Sequence, residues 1–176
     1  MKEEIRKLIE IEHIDTEKVP TEQLYEMFNE LNGQMTVVYH FVLGYLDYMN
    51  MGHDYTAEEN LTMLEAHLLT DICDIENSTA TSLAHTWHRS TSATSQTIRK
   101  LIGKELIYRV NSKEDAKIFY LRPTEKGLRV SDAHKRYDTL DIIKTLKSLH
   151  HTLSLEEIEM MFKGLQVYSD LLHKNN

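Results

Sequence analysis

The order of secondary-structure elements predicted for residues 81–127 constrains the fold more than any other feature of the chain. Apolar residues recur there at helical spacing in two short segments, which are joined by a turn and followed by a basic hairpin pattern. The two apolar stripes are formed by Leu83, Ala84 and Trp87, and by Thr94, Ile98, Leu101 and Ile102. A helix, a turn, a second helix and a hairpin in this order predict a winged helix-turn-helix.

The outer face of the second predicted helix is polar. It carries hydroxyls, an amide and a guanidinium, which bond to base edges and phosphates when a helix lies in a major groove. Two lysines flank the predicted tip of the hairpin, where they can attract phosphates. The predicted DNA-contacting residues are Ser90, Thr91, Ser92, Ser95, Gln96, Arg99, Lys100, Lys113 and Lys117.

Charge is distributed unevenly along the chain. The whole protein has 20 Lys and Arg residues against 28 Asp and Glu residues, which gives a net charge of −8. Residues 77–123 nevertheless contain eight basic and three acidic residues, so this segment is an island of net charge +5. A solvated charged face is the alternative, but the position of the island on the helix-turn-helix pattern favours a phosphate-contacting surface.

A long heptad pattern precedes this region. Its apolar residues alternate steps of four and three over nearly four heptads, which is typical of a helix that packs along a partner. They are Leu24, Phe28, Leu31, Met35, Val38, Val42, Tyr45 and Met49. A core helix of a monomer is the alternative, but a helix of about 30 residues favours a subunit interface and therefore a homodimer.

The rest of the chain is predicted to be mainly helical. Residues 2–13 form an amphipathic arm, Thr56 caps a helix that runs to about residue 76, and Thr124 caps one that runs to about residue 149. An S-x-x-E capping box at residues 154–157 begins the last helix.

The predicted fold class is mainly α with a small β-hairpin wing, a winged helix-turn-helix on a helical dimerisation platform. Its predicted parts are an N-terminal arm and dimerisation helix (1–55), a DNA-binding region (56–123) and C-terminal dimerisation helices (124–176).

Several functional classes are not favoured by the sequence. No run approaches the roughly 20 apolar residues of a membrane span, and the start of the chain has no signal-peptide pattern, so we predict a cytoplasmic protein without a membrane partner. The single cysteine, Cys73, is predicted to be a buried, inert thiol rather than a redox sensor. Neither a phosphate-binding Gly-rich loop nor a catalytic arrangement is recognisable, so we predict no enzyme and no cofactor.

Residues 83–127 resemble the MarR (multiple antibiotic resistance regulator) family of winged helix-turn-helix transcriptional regulators. L-A-H-T-W at residues 83–87 stands where the family has L-A-x-x-L, and Leu106-Ile107 stands where it has G-L-I or G-L-V. The wing ends in D-A-K at residues 115–117 where the family has D-x-R, and T-x-x-G is kept at residues 124–127.

Three residues depart from the family pattern. Arg89 replaces an apolar turn residue, Glu105 replaces a glycine, and Lys117 replaces the wing arginine. A lysine cannot make the bidentate or narrow-groove contacts of an arginine, but it still attracts phosphate.

The resemblance implies a dimeric repressor that binds a pseudo-palindromic operator in double-stranded DNA and is released by a small-molecule effector. It places an effector site between platform and DNA-binding head, although core packing would equally explain the aromatic residues there. The predicted lining residues are Tyr39, Tyr45, His67 and Trp87. A winged-helix module that binds an acidic protein is an alternative function.

The ten histidines of the chain raise a second alternative, a metal-responsive regulator of the same fold. Zinc-responsive relatives carry a histidine cluster on the helix after the wing, but here only His134 remains, and Asn60 stands where they have another ligand. His134 and Asp138 form an i, i+4 pair that could bind a metal with help from a third residue. The candidates for that residue are His40, His53 and His67. Because surface or interface packing explains each histidine, no metal site is predicted.

Overall fold

The computed structural model describes residues 18–57, 59–113, 115 and 117–174. The chain forms two compact units, Met1–Met51 and Gly52–Asn176. The arm helix predicted for residues 2–13 lies outside the described residues. In the first unit, helix α1 spans Thr21–Asn50 without interruption, in agreement with the heptad pattern.

Helix α1 carries a row of exposed apolar side chains. Among the heptad residues, the side chains of Leu24, Phe28 and Tyr45 are 43%, 58% and 51% exposed. Val38, in the middle of the row, is half-buried. Contiguous apolar surface of this kind is uncommon on a protein that acts alone and marks a binding surface.

The described part of the second unit consists of two β-hairpins and five helices. Its elements in chain order are β1 (Gly52–Thr56), β2 (Glu59–Thr62), α2 (Met63–Asp74), α3 (Ala80–Thr86), α4 (Thr91–Gly103), β3 (Ile107–Asn111), β4 (Phe119–Pro123), α5 (Glu125–His150) and α6 (Leu155–Lys174). Strands β1 and β2 form one antiparallel pair, and β3 and β4 form the other. The succession α3, α4, β3, β4 confirms the predicted mainly helical fold with a winged helix-turn-helix.

The segment before the helix-turn-helix differs from the prediction. Thr56 does not cap a helix but ends strand β1, and helix α2 begins only after Thr62. The Thr62 hydroxyl accepts the Glu65 N–H at 3.2 Å, and the Glu65 carboxylate accepts the Thr62 N–H at 3.1 Å. This reciprocal capping box satisfies two amide donors of the first turn, so it fixes the start of the helix later than predicted.

The core of the second unit lies between α2, the helix-turn-helix, the wing and the start of α5. Its fully buried apolar residues include Leu61, Leu68, Leu69, Leu83, Ile98, Leu101, Leu106 and Leu121. The Leu121 N–H also donates to the Ser78 carbonyl at 2.9 Å, which ties the wing to the chain before α3. Helix-turn-helix and wing therefore share one core and present a common outer surface.

Glu105, just after α4, has an unusual backbone conformation, and Gly127, in α5, lies against a neighbouring segment of backbone. Glu105 has a φ of 58°, which lies in the left-handed region. The MarR family pattern has a glycine at this position. A non-glycine residue there costs on the order of 1 kcal/mol. A Cβ on Gly127 would clash with the Leu106 carbonyl oxygen, which accepts the Thr124 N–H at 3.0 Å. Gly127 thus allows α5 to begin directly against the chain that leaves α4.

The caps predicted for the last two helices are confirmed. The Thr124 hydroxyl accepts the Gly127 N–H at 3.0 Å at the start of α5. Before α6, the Ser154 N–H donates to Glu157 at 2.8 Å and the Ser154 hydroxyl accepts the Glu157 N–H at 3.2 Å. Exposed large apolar side chains on α5 and α6 include Leu140, Ile143, Phe162, Val167 and Leu171. None of the described helices combines the length and apolar character that a bilayer span needs.

Candidate nucleic-acid interface

Helix α4 presents the polar face that the sequence predicts. Thr94, Ile98 and Leu101 are fully buried along one side, which fixes the rotation of the helix. The exposed residues of the helix include Thr91, Ser92, Gln96 and Arg99, and Ser95 is half-buried beside them. The Ser90 hydroxyl accepts the Ala93 N–H at 3.2 Å and caps the helix. The outer face therefore offers hydroxyls, an amide and a guanidinium to a groove.

The turn between α3 and α4 is anchored by α2. Trp87, the residue that ends α3, donates from Nε1 to the Asp71 carboxylate at 2.6 Å. His88 takes the left-handed conformation, with a φ of 47°, and reverses the chain. The Arg89 guanidinium then lies 3.5 Å from the Thr97 hydroxyl on α4. These contacts fix the direction in which α4 leaves the turn.

The wing tip continues the hairpin beyond β3 and β4. The Ser112 N–H donates to the Ile118 carbonyl at 2.9 Å, which closes the tip. Lys113 and Lys117 are exposed on either side of it. A cleft of about 430 Å³ separates the wing from α3, and its lining includes Thr79, Thr81, Arg109, Lys117 and Phe119. The wing and α4 thus border one basic surface.

Four exposed cations of this surface have no acidic partner among the described residues. They are Arg99 on α4, Arg109 on β3, and Lys113 and Lys117 at the wing tip. An exposed cation without an intramolecular carboxylate can attract a phosphate without first breaking an ion pair. These four side chains are therefore the positive groups most readily offered to a polyanion.

Three other lysines of the region are held by buried carboxylates. The Lys100 Nζ lies 3.1 Å from Glu65 Oε1. The Lys104 and Lys126 ammonium groups lie 3.3 Å and 2.5 Å from the Glu59 carboxylate. Burial disfavours the charged form of Glu59, but the hydrogen bonds from Lys126 and Lys104 outweigh it and lower its pKa. The positive island of the sequence is thus partly neutralised within the fold.

A second polar cluster joins α2 to α5. The potential metal-ligand atoms of His67, His134 and Asp138 all lie within 4.8 Å of one another. His134 is buried, and its Nδ1 lies 3.1 Å from the hydroxyl of Thr70. Its Nε2 is buried and has no hydrogen-bond partner among the described residues. An imidazole held through one nitrogen and unpaired at the other, close to further ligand groups, suits a metal-binding histidine.

Burial sets the protonation of His134. It lowers the pKa of His134 to about 4, and the neighbouring His67 adds to the effect. His134 is therefore neutral near pH 7, which is the form that coordinates metals. Burial also raises the pKa of Tyr55 to about 12, with Tyr137 and Asp138 contributing. The Tyr55 ring meets the His134 ring edge-on at 5.0 Å between centroids, so strand β1 packs directly on the cluster.

The sequence indicates His134 and Asp138 as a pair that could bind a metal, but it does not select the third member and predicts no metal site. Helical spacing puts His134 and Asp138 on one face of α5, whereas His67 comes from a different helix and is one of three histidines considered. His53 instead lies with its Nδ1 3.1 Å from the Tyr137 hydroxyl. Asn60 donates to the Asp54 carboxylate at 2.7 Å, so its amide is engaged within the β1–β2 hairpin. Only the fold selects His67 from the candidates.

The predicted effector-site residues fall in both units. His67 and Trp87 are neighbours, with ring centroids 5.6 Å apart. Tyr39 and Tyr45 lie on exposed positions of α1, where Tyr45 stacks on Phe41 at 5.7 Å between ring centroids. A cleft of about 510 Å³ on the second unit is lined by Tyr55, Asp132, Ala133, Arg136, Tyr137 and Leu140. The effector site stays a prediction.

Comparison with known proteins gives a family match over the winged-helix core. Residues 61–119 match the model of the MarR family. The uncharacterized HTH-type transcriptional regulator YhjH of Bacillus subtilis (strain 168) is 26% identical over 116 residues. That match covers 65% of this chain and 66% of the relative, slightly less than two thirds of its length.

Solved structures share the fold. Streptococcus pneumoniae FabT, in its complex with DNA, has a TM-score of 0.62 at 22% identity, and the match covers 85% of this chain and 99% of that one. Lactococcus lactis ZitR, described as a zinc-responsive MarR family member, has a TM-score of 0.60 at 21% identity, with 81% and 99% covered. At these identities the likeness concerns the fold.

Proposed function

We propose that this chain, which has the winged helix-turn-helix fold of the MarR family, is a sequence-specific transcriptional regulator that binds double-stranded DNA. Helix α4 enters a major groove and the wing reaches an adjacent minor groove. The observation that carries the proposal is the exposed polar face of α4 beside wing cations that have no acidic partner among the described residues. Hydroxyl, amide and guanidinium groups on a rigid helix can read base edges while the cations contact phosphates.

The proposed contacts divide by chemistry. Gln96 and Arg99 read bases, because their long side chains stand on the exposed face at a spacing of three residues. The hydroxyls at the start of the helix, from Ser90, Thr91, Ser92 and Ser95, approach the backbone and nearby base edges. Lys113 and Lys117 act as point charges toward phosphates. The proposed DNA-binding region is residues 56–123.

The proposed assembly is a homodimer that represses by occupying its operator. Support comes from the exposed apolar side chains of α1, α5 and α6, which would be covered by a second copy of the chain. Two copies would place two recognition helices in successive major grooves of a pseudo-palindrome. A small-molecule effector would release the DNA by changing the distance between the two heads, and His67 and Trp87 are the proposed effector contacts in the second unit.

A salt titration of duplex binding tests this function. The purified protein is titrated into a fluorescent duplex pool over a series of salt concentrations, and the binding constant is measured by anisotropy. We expect steep weakening with salt, because each neutralised phosphate releases a counterion. A protein-interaction module would give weak binding to every duplex, and that result would reject the proposal.

Lys117→Ala tests whether the wing contacts DNA. We expect this variant to weaken specific and random duplexes by similar factors and to lower the salt slope by about one unit, because one fewer counterion is released. Lys163→Ala is the control, since it removes an exposed lysine from α6. Lys117→Arg should be tolerated, or should tighten binding beside narrow A·T minor grooves. An unchanged slope for Lys117→Ala would place the wing away from the DNA.

A metal-responsive regulator is a second candidate function, favoured by the cluster of His67, His134 and Asp138. Two imidazoles and a carboxylate suit zinc and similar divalent ions and leave one position open in a tetrahedral site. A metal bound there would link α2 to α5. Helix α2 also anchors the helix-turn-helix through the hydrogen bond from Trp87 to Asp71. Metal binding at the cluster would therefore affect the position of the helix-turn-helix.

His134→Ala tests this second function. Zinc and cobalt binding are measured by competition with a chelating dye and through the emission of Trp87, the single tryptophan of the chain. We expect His134→Ala to weaken metal binding at least about tenfold, because a ligand is removed from a fixed set. His151→Ala, which removes a histidine outside the cluster, should bind as the wild type does. Equal affinities for both variants would exclude the cluster as a metal site.

A further inference from the structure

Adjacent cations on the recognition helix have different surroundings. The Arg99 guanidinium is exposed and meets no acid among the described residues, whereas the ammonium group of Lys100 lies 3.1 Å from Glu65. The Lys100 side chain is itself 66% exposed, so packing against neighbouring residues does not confine it there. The attraction of a single carboxylate therefore determines where this charge rests.

The Glu65 carboxylate is fixed in place from the other side. Only 7% of the residue is exposed, and Oε2 accepts the Thr62 N–H at 3.1 Å while Oε1 faces Lys100. The capping box of α2 thus holds the anion rigidly beside α4. If Lys100 moved to a phosphate, this buried carboxylate would lose its only described cationic partner, which is unfavourable.

We infer that Glu65 withholds Lys100 from DNA and thereby limits the affinity of the recognition helix for any duplex. The inference rests on the proposed DNA-binding function and assigns Glu65 a role in setting binding strength. The sequence predicts Lys100 as a DNA-contacting residue, whereas this inference makes it the intramolecular partner of Glu65. Glu59 forms a similar contact one turn later, where it holds Lys104.

Glu65→Gln tests the inference directly. The glutamine carbonyl can still accept the Thr62 N–H, so the cap is kept while the negative charge is removed. We expect the variant to bind specific and random duplexes about threefold to tenfold more tightly near 0.1 M salt, with a salt slope steeper by about one unit. Glu156→Gln, which removes an exposed acid at the start of α6, controls for net charge.

The double variant Glu65→Gln/Lys100→Ala completes the cycle. We expect it to return to the wild-type affinity and slope, because the released cation is then absent. Lys100→Ala alone should leave the salt slope unchanged. A slope lowered by about one unit in Lys100→Ala would show that Lys100 already contacts a phosphate, and would overturn the inference even if Glu65→Gln did not fold. Equal affinities for Glu65→Gln and Glu156→Gln would also overturn it.

These outcomes are distinct from a failure of the proposed function. If the wild-type protein binds no duplex at any salt concentration, the DNA-binding proposal is rejected. If the wild type binds with a steep salt dependence but the cycle fails, only the role of Glu65 is rejected. Thermal unfolding of each variant, followed by circular dichroism, shows whether the fold is kept.

Discussion

Val38→Asp is expected to break the proposed homodimer into monomers. Val38 lies in the middle of the heptad row on α1, where neighbouring apolar side chains are exposed in the single chain. An aspartate would bury an unpaired charge if a second copy covered this row. The expected loss is on the order of 4 kcal/mol of dimerisation free energy, or about a thousandfold in Kd.

The measurement is the molar mass of the variant by multi-angle light scattering over a range of concentrations. His40→Asp is the control, because it adds the same charge two residues away, on the opposite side of α1. We expect this control to stay dimeric and helical by circular dichroism. If Val38→Asp remains folded and dimeric, the subunit interface does not follow the heptad row.

Arg99→Ala and Gln96→Ala are expected to weaken binding to the preferred duplex and to relax the base preference of the protein. Both side chains stand on the exposed face of α4, and either can form paired hydrogen bonds with a base edge. Each replacement should cost roughly 1 to 3 kcal/mol on the preferred site and relax the preference at one or two positions.

Binding of each variant to the preferred duplex and to a set of single-base substitutions distinguishes base reading from charge. Arg129→Ala, which removes an exposed arginine from α5, should leave the order of preferred sequences unchanged. An equal loss on every duplex would assign Arg99 to a phosphate contact instead. Losses at different base positions for Gln96 and Arg99 would fix the direction of the helix in the groove.

The helix-turn-helix is the part of the fold that the sequence predicts best, because each of its signals is local. The apolar stripe of α4 becomes the buried side of the helix, and its polar residues face outward. Thr124 caps α5 and Ser154 with Glu157 caps α6, as the side-chain spacing indicates. The resemblance to the MarR family is confirmed by the match over residues 61–119.

The sequence does not predict the β1–β2 hairpin, and a helix is expected there instead. Its strands have short and weakly alternating patterns, so nothing local distinguishes them from the start of a helix. The T-x-x-E capping-box spacing of Thr62 and Glu65 coincides with the start of α2, but Thr56 and Glu59 have the same spacing in the sequence. The fold decides between the two, because Glu65 completes its box with both hydrogen bonds whereas Glu59 lies in strand β2.

The ion pairs of the site can be identified only from the three-dimensional structure. Composition counts Lys100 and Lys104 as part of the positive island, but both meet acids from α2 and β2 that are distant in sequence. His67 likewise meets His134 and Asp138 across a separation that no spacing rule covers. Such long-range pairs depend on how α2 packs against α5 and α4, and a single sequence does not reveal that packing.

Helix α2 carries residues that serve both candidate functions. Glu65 faces the recognition helix, His67 belongs to the cluster with α5, and Asp71 accepts from Trp87 at the turn before α4. A ligand that shifts α2 would therefore change the contacts that hold the helix-turn-helix in place. This placement gives the proposed effector or metal a direct structural path to DNA binding.

Selection of duplexes from a random pool by the purified wild-type protein shows whether a dimer reads DNA through α4. After several rounds at physiological salt, the enriched sequences are aligned and their symmetry is determined. A dimeric reader should enrich a pseudo-palindrome whose half-sites are about one helical turn apart, near 10 base pairs. Enrichment of no shared sequence, or of a single asymmetric half-site, would contradict a dimer that reads DNA through α4.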